Sequence, residues 1–119
     1  MPREFKRSER VAELLQRELA AVIGQDLKDP ALGMVTVTAV RLSRDLSHAK
    51  VYVTALATGL GEEALIRRLN RAAGFLRHQL GPRLALRGTP ALRFVYDRSV
   101  EKGLALSRLI DRVAGGGDR

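Results

Sequence analysis

Apolar residues along this chain change period several times, and each change marks an element. Val11, Leu14, Leu15, Leu19, Val22 and Ile23 recur at three- and four-residue spacing with charges between them, which predicts an amphipathic helix. Ser8 is the candidate N-cap, with Glu9 in the first turn facing the positive helix end. Asp29-Pro30 stops the helix, because the residue before a proline is driven out of the helical region. Residues 34–42 are rich in β-branched types and alternate, but the alternation slips once. Val35 and Val37 share one phase, whereas Val40 and Leu42 share the other. A one-residue slip would turn half of the strand outward, so a β-bulge near Thr38-Ala39 is expected to keep all four side chains inward. A polar turn, Ser43 to Ser47, leads into a second strand, residues 48–56, with Val51, Val53 and Ala55 on one face. That spacing indicates an antiparallel hairpin.

Beyond the loop Thr58-Gly-Leu-Gly61, residues 62–73 read as a helix with Leu65, Leu69 and Ala72 on one stripe. Gly74 interrupts it, and Phe75, Leu76 and Leu80 begin a second helical stretch that ends at Gly81-Pro82. Thr89-Pro90 breaks the chain before alternation resumes at Leu92, Phe94 and Tyr96. Ser99 is placed to cap a short amphipathic helix carrying Val100, Leu104, Ile110 and Val113, and residues 114–119 have nothing to bury and read as a disordered tail. The order is α-β-β-α-α-β with an optional terminal helix, in one domain spanning residues 1–113. The helix pair is long enough for a crossover, which makes the third strand parallel to the second. The expected fold is α+β: a three-stranded mixed sheet, helices on one face and the other face partly exposed.

Composition adds a partner class. Over 119 residues, 21 Lys and Arg against 13 Asp and Glu give a net charge of +8, which points first to nucleic acid and second to an anionic membrane. Residues 1–30 carry six basic and six acidic side chains and are neutral. From Ala64 through Tyr96 there is no acid at all, while Arg67, Arg68, Arg71, Arg77, Arg83, Arg87 and Arg93 fall inside that span. The absence of cysteine excludes a disulfide framework and a thiolate metal site. No apolar run is long enough to span a bilayer, and the charged N-terminus lacks a signal-peptide core, so an intracellular, cytoplasmic protein is expected.

The Arg-rich helix pair is the candidate site. Arg67 and Arg71 are four apart on one helix face, with Arg68 a step around. Like charges at that spacing cost a helix roughly 0.2–0.5 kcal/mol. From Ala64 onward nothing acidic in sequence offsets them, and the planar fork of Arg suits phosphate. A solvated helix face is the plainer reading, and the acid-free span weighs against it. Arg77, Arg83 and Arg87 extend the same surface. At the junction, Ala72-Ala73-Gly74 is either a simple kink or a place where another backbone comes close, since glycine costs about 1 kcal/mol relative to alanine within a helix. Arg44 in the hairpin turn and Lys50 on the outward phase of the second strand could add to the basic surface or be ordinary solvated charges. His48 and His78 stand apart from each other and from carboxylates, and Asp29 is explained as a helix stop. No phosphate-binding glycine loop, nucleophile elbow or paired metal-ligand motif is present. No cofactor, metal or small-molecule substrate is expected.

Four segments in order carry a resemblance: Lys28-Asp-Pro-Ala-Leu-Gly-Met-Val-Thr-Val-Thr38, Leu42-Ser-Arg-Asp-Leu-Ser-His-Ala-Lys-Val-Tyr-Val53, Leu69-Asn-Arg-Ala-Ala-Gly-Phe-Leu-Arg77 and Leu92-Arg-Phe-Val-Tyr-Asp97. From about Arg7 to Val113 the chain resembles the ribosome-binding factor A family. The resemblance implies a type II KH-like domain in which an Ala-x-Gly kink, here Ala72 and Gly74, replaces the usual GxxG loop. It also implies a non-catalytic monomer that acts on the free or maturing 30S subunit and its 16S rRNA, in late maturation and 5′-end processing, and that supports growth in the cold. Without a GxxG clamp and with few aromatics, contact with phosphates and RNA shape is expected rather than base reading. Two other readings compete. A membrane-surface protein is disfavoured because the Leu65/Leu69 stripe behind the arginines is needed for the core. A processing nuclease is disfavoured because no His, Glu and Asp side chains pair up.

Overall fold

The computed structural model describes residues 3–99, with side chains from Arg7 onward. The first helix, α1, spans Arg3–Asp26. It therefore begins five residues before Ser8, which lies within the helix and not at its cap. The Arg-Glu-Phe-Lys-Arg run ahead of Ser8 supplies good helix formers that continue the same turn register. α1 buries Val11, Leu15, Leu19, Val22 and Ile23. It ends before Asp29, which instead caps a separate 3-10 turn, Pro30–Leu32, by accepting a hydrogen bond from the Ala31 N–H at 3.1 Å.

Strands β1 (Met34–Leu42) and β2 (His48–Leu56) pair antiparallel, and β3 (Ala91–Tyr96) joins β2 in parallel. The order β1-β2-β3 puts the middle strand in the hairpin. The register shifts between Val37 and Ala39, so Thr38 is the bulged residue. As a result Val35, Val37, Val40 and Leu42 oppose Ala55, Val53, Val51 and Ala49, and all face the core. The bulge is anchored on both sides. Gln16 of α1 donates to the Val37 carbonyl at 3.1 Å, and the Thr38 hydroxyl bonds to the Asp97 carboxylate at the end of β3.

The crossover contains α2 (Glu62–Arg71) and α3 (Ala73–Leu80), followed by a 3-10 turn, Gly81–Arg83. Glu62 and Glu63 occupy the first turn of α2, where the helix dipole favours acid. The helices break at Ala72 rather than at Gly74. Leu65 and Leu69 of α2 and Leu76 and Leu80 of α3 meet Phe94, Val51 and Val53 in one continuous core on one face of the sheet. α1 packs mainly over β1, and α2 and α3 over β3. The expected terminal helix and tail lie outside the described residues.

β3 is an edge strand, and α2 covers its open side. The Asn70 Oδ1 accepts from the Phe94 N–H at 2.7 Å, while its Nδ2 donates to the Phe94 carbonyl at 3.2 Å. One side chain thus imitates a neighbouring strand at Phe94 and satisfies both of its edge-facing groups. Asn70→Ala leaves both groups without these partners and should cost about 1–3 kcal/mol, read as a lower urea midpoint. Unchanged stability would mean that water replaces both bonds.

Candidate nucleic-acid interface

The predicted basic residues do not form one uniform surface. On α2, Leu65 and Leu69 point inward, which turns Arg67, Arg68 and Arg71 to solvent, and all three are exposed. Arg67 and Arg71 have no ion-pair or hydrogen-bond partner among the described residues. Arg68 does have one: its Nη1 lies 3.1 and 2.9 Å from the two carboxylate oxygens of Asp29. The hydrogen bond from Arg68 is the main reason the Asp29 carboxyl sits below the usual carboxylate range. The pairing is therefore in place at neutral pH and is lost as pH falls through that lowered value. The acid that offsets Arg68 comes from 39 residues away, in the turn before β1, which sequence proximity could not reveal.

Two more arginines are tied into the fold. Arg83 bonds Glu18 at 3.2 Å and Gln25 at 3.0 Å, clamping the turn after α3 to α1. Arg77 donates its Nε to the Thr89 carbonyl at 2.8 Å, bracing the loop before β3. Arg87, in that loop, is exposed and has no partner among the described residues. Arg44 is exposed at the hairpin tip beside Asp45. Hydroxyl hydrogen bonds from Ser47 and Ser43 hold the Asp45 pKa at about 2, so the tip carries both signs of charge at neutral pH.

Lys50 stands apart from the helices, on the opposite face of the sheet. There it is flanked in register by Arg41 on β1 and Arg93 on β3. Sequence alone marks Arg93 only as one of the acid-free run of arginines and gives Arg41 no role. The alternation of the strands held the signal for their outward phase, but not for their alignment.

At the helix junction, Ala72 closes α2 through bonds from its N–H to the Arg68 and Leu69 carbonyls, both 3.1 Å. Gly74 lies inside α3 with helical backbone, and a Cβ there would meet nothing within 4 Å. The kink expected at Gly74 is thus corrected to Ala72, and within the described chain no backbone comes close to Gly74. The bend needs no glycine, because Ala72 makes it at φ −85° and ψ −1°. Gly74→Ala should therefore stabilise the fold by roughly 0.4–1 kcal/mol, seen as a higher melting temperature. A lower one would restore an internal role for the glycine. Phe75, the next residue, is one of the few large apolar side chains exposed.

Among the described residues, no three His, Asp or Glu side chains lie where they could share a metal ion, and no helix is long and apolar enough to cross a membrane.

Comparison with known proteins places this geometry in a family. Curated relatives called ribosome-binding factor A include one from Thiobacillus denitrificans, 52% identical over 93% of this chain and 90% of its own length. Another, from Alkalilimnicola ehrlichii, is 54% identical over 93% of this chain and 86% of its own. The crystal structure of ribosome-binding factor A from Thermus thermophilus superposes with a TM-score of 0.67 at 40% identity, covering 75% of this chain and 94% of that one. A homology model of the Thermus thermophilus protein, fitted into a cryo-EM map of its complex with 30S, matches at 42% identity with a TM-score of 0.62, covering 73% of this chain and 91% of that one. The family model for ribosome-binding factor A matches residues 7–110, nearly the whole chain. With that span, those identities and the shared fold, this chain belongs to the ribosome-binding factor A family.

Proposed function

We propose that this protein is a non-catalytic assembly factor that binds the 30S subunit through 16S rRNA, using α2 and the bend after it. The observation that carries this reading is the pair Arg67 and Arg71. They are two exposed guanidinium groups on one helix face, and neither forms an ion pair with an acid of the described chain, although Glu63 lies one turn before Arg67. Like charges one turn apart cost the helix stability, and a bound polyanion relieves that cost. The relative fitted into a 30S complex supports the choice of polyanion. Arg68 and Arg83 serve mainly to fix α2 and the turn after α3 in place, and Arg77 braces the loop that carries Arg87. The Ala72 bend and the open space at Gly74 let an RNA backbone come close to the start of α3. In this role the protein works in the cytoplasm as a monomer, without cofactor, holding a local rRNA conformation during late 30S maturation and 5′-end processing of 16S rRNA, a task most needed in the cold.

The test separates binding from folding. Arg67→Gln with Arg71→Gln removes two charges while keeping helix propensity. The melting temperature should hold or rise slightly, and affinity for purified 30S subunits should fall several-fold. Unchanged affinity would remove α2 from the interface. Gly74→Ala sharpens the result, since a variant that melts higher and binds more weakly places RNA against that position.

A further inference from the structure

The open face of the sheet carries a charge pattern that the helix-side reading does not use. In the pairing register Arg41 of β1 opposes Lys50 of β2, and Lys50 opposes Arg93 of β3. Three cations therefore form one row straight across all three strands, and all three are exposed. Like charges directly opposite one another destabilise a sheet. No described acid pairs with any of the three; the ion pairs among the described residues are Arg68–Asp29, Arg83–Glu18 and Arg98–Glu62. The outward positions of the described strands include no Asp or Glu.

The row is also held together. The Lys50 Nζ lies 5.5 Å and the Arg41 Cζ 5.9 Å from the centroid of the Tyr52 ring. Both heads lie within cation–π range of the ring, which offsets part of their mutual repulsion. On the other side of Lys50 a shallow concavity runs between β2 and β3, lined by His48, Lys50, Ala91, Arg93 and Val95. Aligned cations, a flanking aromatic ring and a shallow trough without acid together match a strand of phosphates.

We propose that this sheet face is a second RNA-binding surface, with Arg41, Lys50 and Arg93 contacting consecutive phosphates of an RNA segment laid across the strands. The inference rests on the RNA-binding reading above and extends it. α2 and this row lie on opposite sides of the sheet, so one molecule would engage two RNA segments and hold them a fixed distance apart.

The experiment uses the full chain and purified 30S subunits. Arg41→Gln, Lys50→Gln and Arg93→Gln are combined, and binding is measured across a salt series. The triple variant should melt at the same or a higher temperature, because repulsion is relieved. It should bind several-fold more weakly, with a log–log salt slope shallower by about 2 to 3. If the triple variant fails to fold, Lys50→Gln alone is read, with Lys50→Arg expected to bind as the parent does. An unchanged slope in whichever variant folds overturns the proposal. If Arg67→Gln/Arg71→Gln weakens binding and the sheet variants do not, the sheet proposal falls while the α2 reading stands. If the sheet variants alone weaken binding, the α2 reading falls instead. A photocrosslinker placed at Val95 should label 16S rRNA in the bound complex; labelling confined to a ribosomal protein would overturn RNA as the occupant.

Discussion

Gly33→Ala should destabilise this protein by at least about 3 kcal/mol, the largest effect expected of any single small substitution outside the core. Gly33 has φ 69° and ψ −147°, a region that residues with a side chain rarely enter. Strain alone costs of the order of 1–3 kcal/mol. Sterics add to it, since a Cβ at this position would overlap the Leu56 carbonyl oxygen and lie 2.7 Å from the Ala57 carbonyl carbon. Those atoms are backbone and cannot swing away. They belong to the exit of β2, which is bonded back to the turn before Gly33: the Thr58 hydroxyl donates to the Ala31 carbonyl at 2.9 Å, and the Gly59 N–H donates to the same oxygen at 3.2 Å. Any relief of the clash has to break that junction. The same turn carries Asp29, so moving it would also disturb the Arg68 pairing and the seat of α2. For a domain of this size a loss of about 3 kcal/mol corresponds to a melting point lower by roughly 12 °C. Calorimetry on Gly33→Ala beside Gly74→Ala is a matched comparison: the same atoms are added where space is absent and where it is open. Equal effects in the two variants would refute the steric account.

Salt should govern affinity for the 30S subunit, with a log–log slope of roughly −3 to −5, equivalent to about four to six neutralised phosphates. Raising salt from about 50 to 200 mM would then weaken binding by roughly two to three orders of magnitude. The structure narrows the residues responsible. Arg68 and Arg83 are committed to Asp29 and Glu18, and Arg98 to Glu62, so their charges are largely answered within the chain. Among the cations of the described residues without an acid partner are Arg67, Arg71, Arg77 and Arg87 on the helix side, Arg44 at the hairpin tip, and Arg41, Lys50 and Arg93 on the sheet. Titrations of labelled protein with 30S subunits over that salt range measure the slope directly. A slope near zero would mean that neither basic surface meets RNA.

The sequence by itself determined whatever depends on neighbours along the chain. The phase slip between Val37 and Val40 located the bulge to within one residue, because a strand burying one face must keep its period of two. The β-β-α-α-β order and the parallel third strand followed equally from period changes and from the length of the crossover. The inward stripes Leu65/Leu69 and Leu76/Leu80 were legible for the same reason, as was the acid-free run of arginines. Capping was less legible: Ser8 looks like a helix start only until the helix formers before it are counted, and Gly74 looks like a break although Ala72 makes the bend.

Tertiary structure decided which charges are free. Arg68 meets Asp29 across 39 residues and Arg83 meets Glu18 across 65, so two of the arginines expected to contact RNA are also paired within the chain. It also set the register of β3 against β2, which brings Arg93 beside Lys50 and Arg41. It gave Gly33 its necessity as well, since the atoms that exclude a side chain there come from the far end of the hairpin. Hydrophobic period is a property of local backbone geometry and can be read from a string of residues. Ion pairing, strand register and steric exclusion depend on distances of a few ångströms between segments far apart in the chain, and folding alone sets those distances.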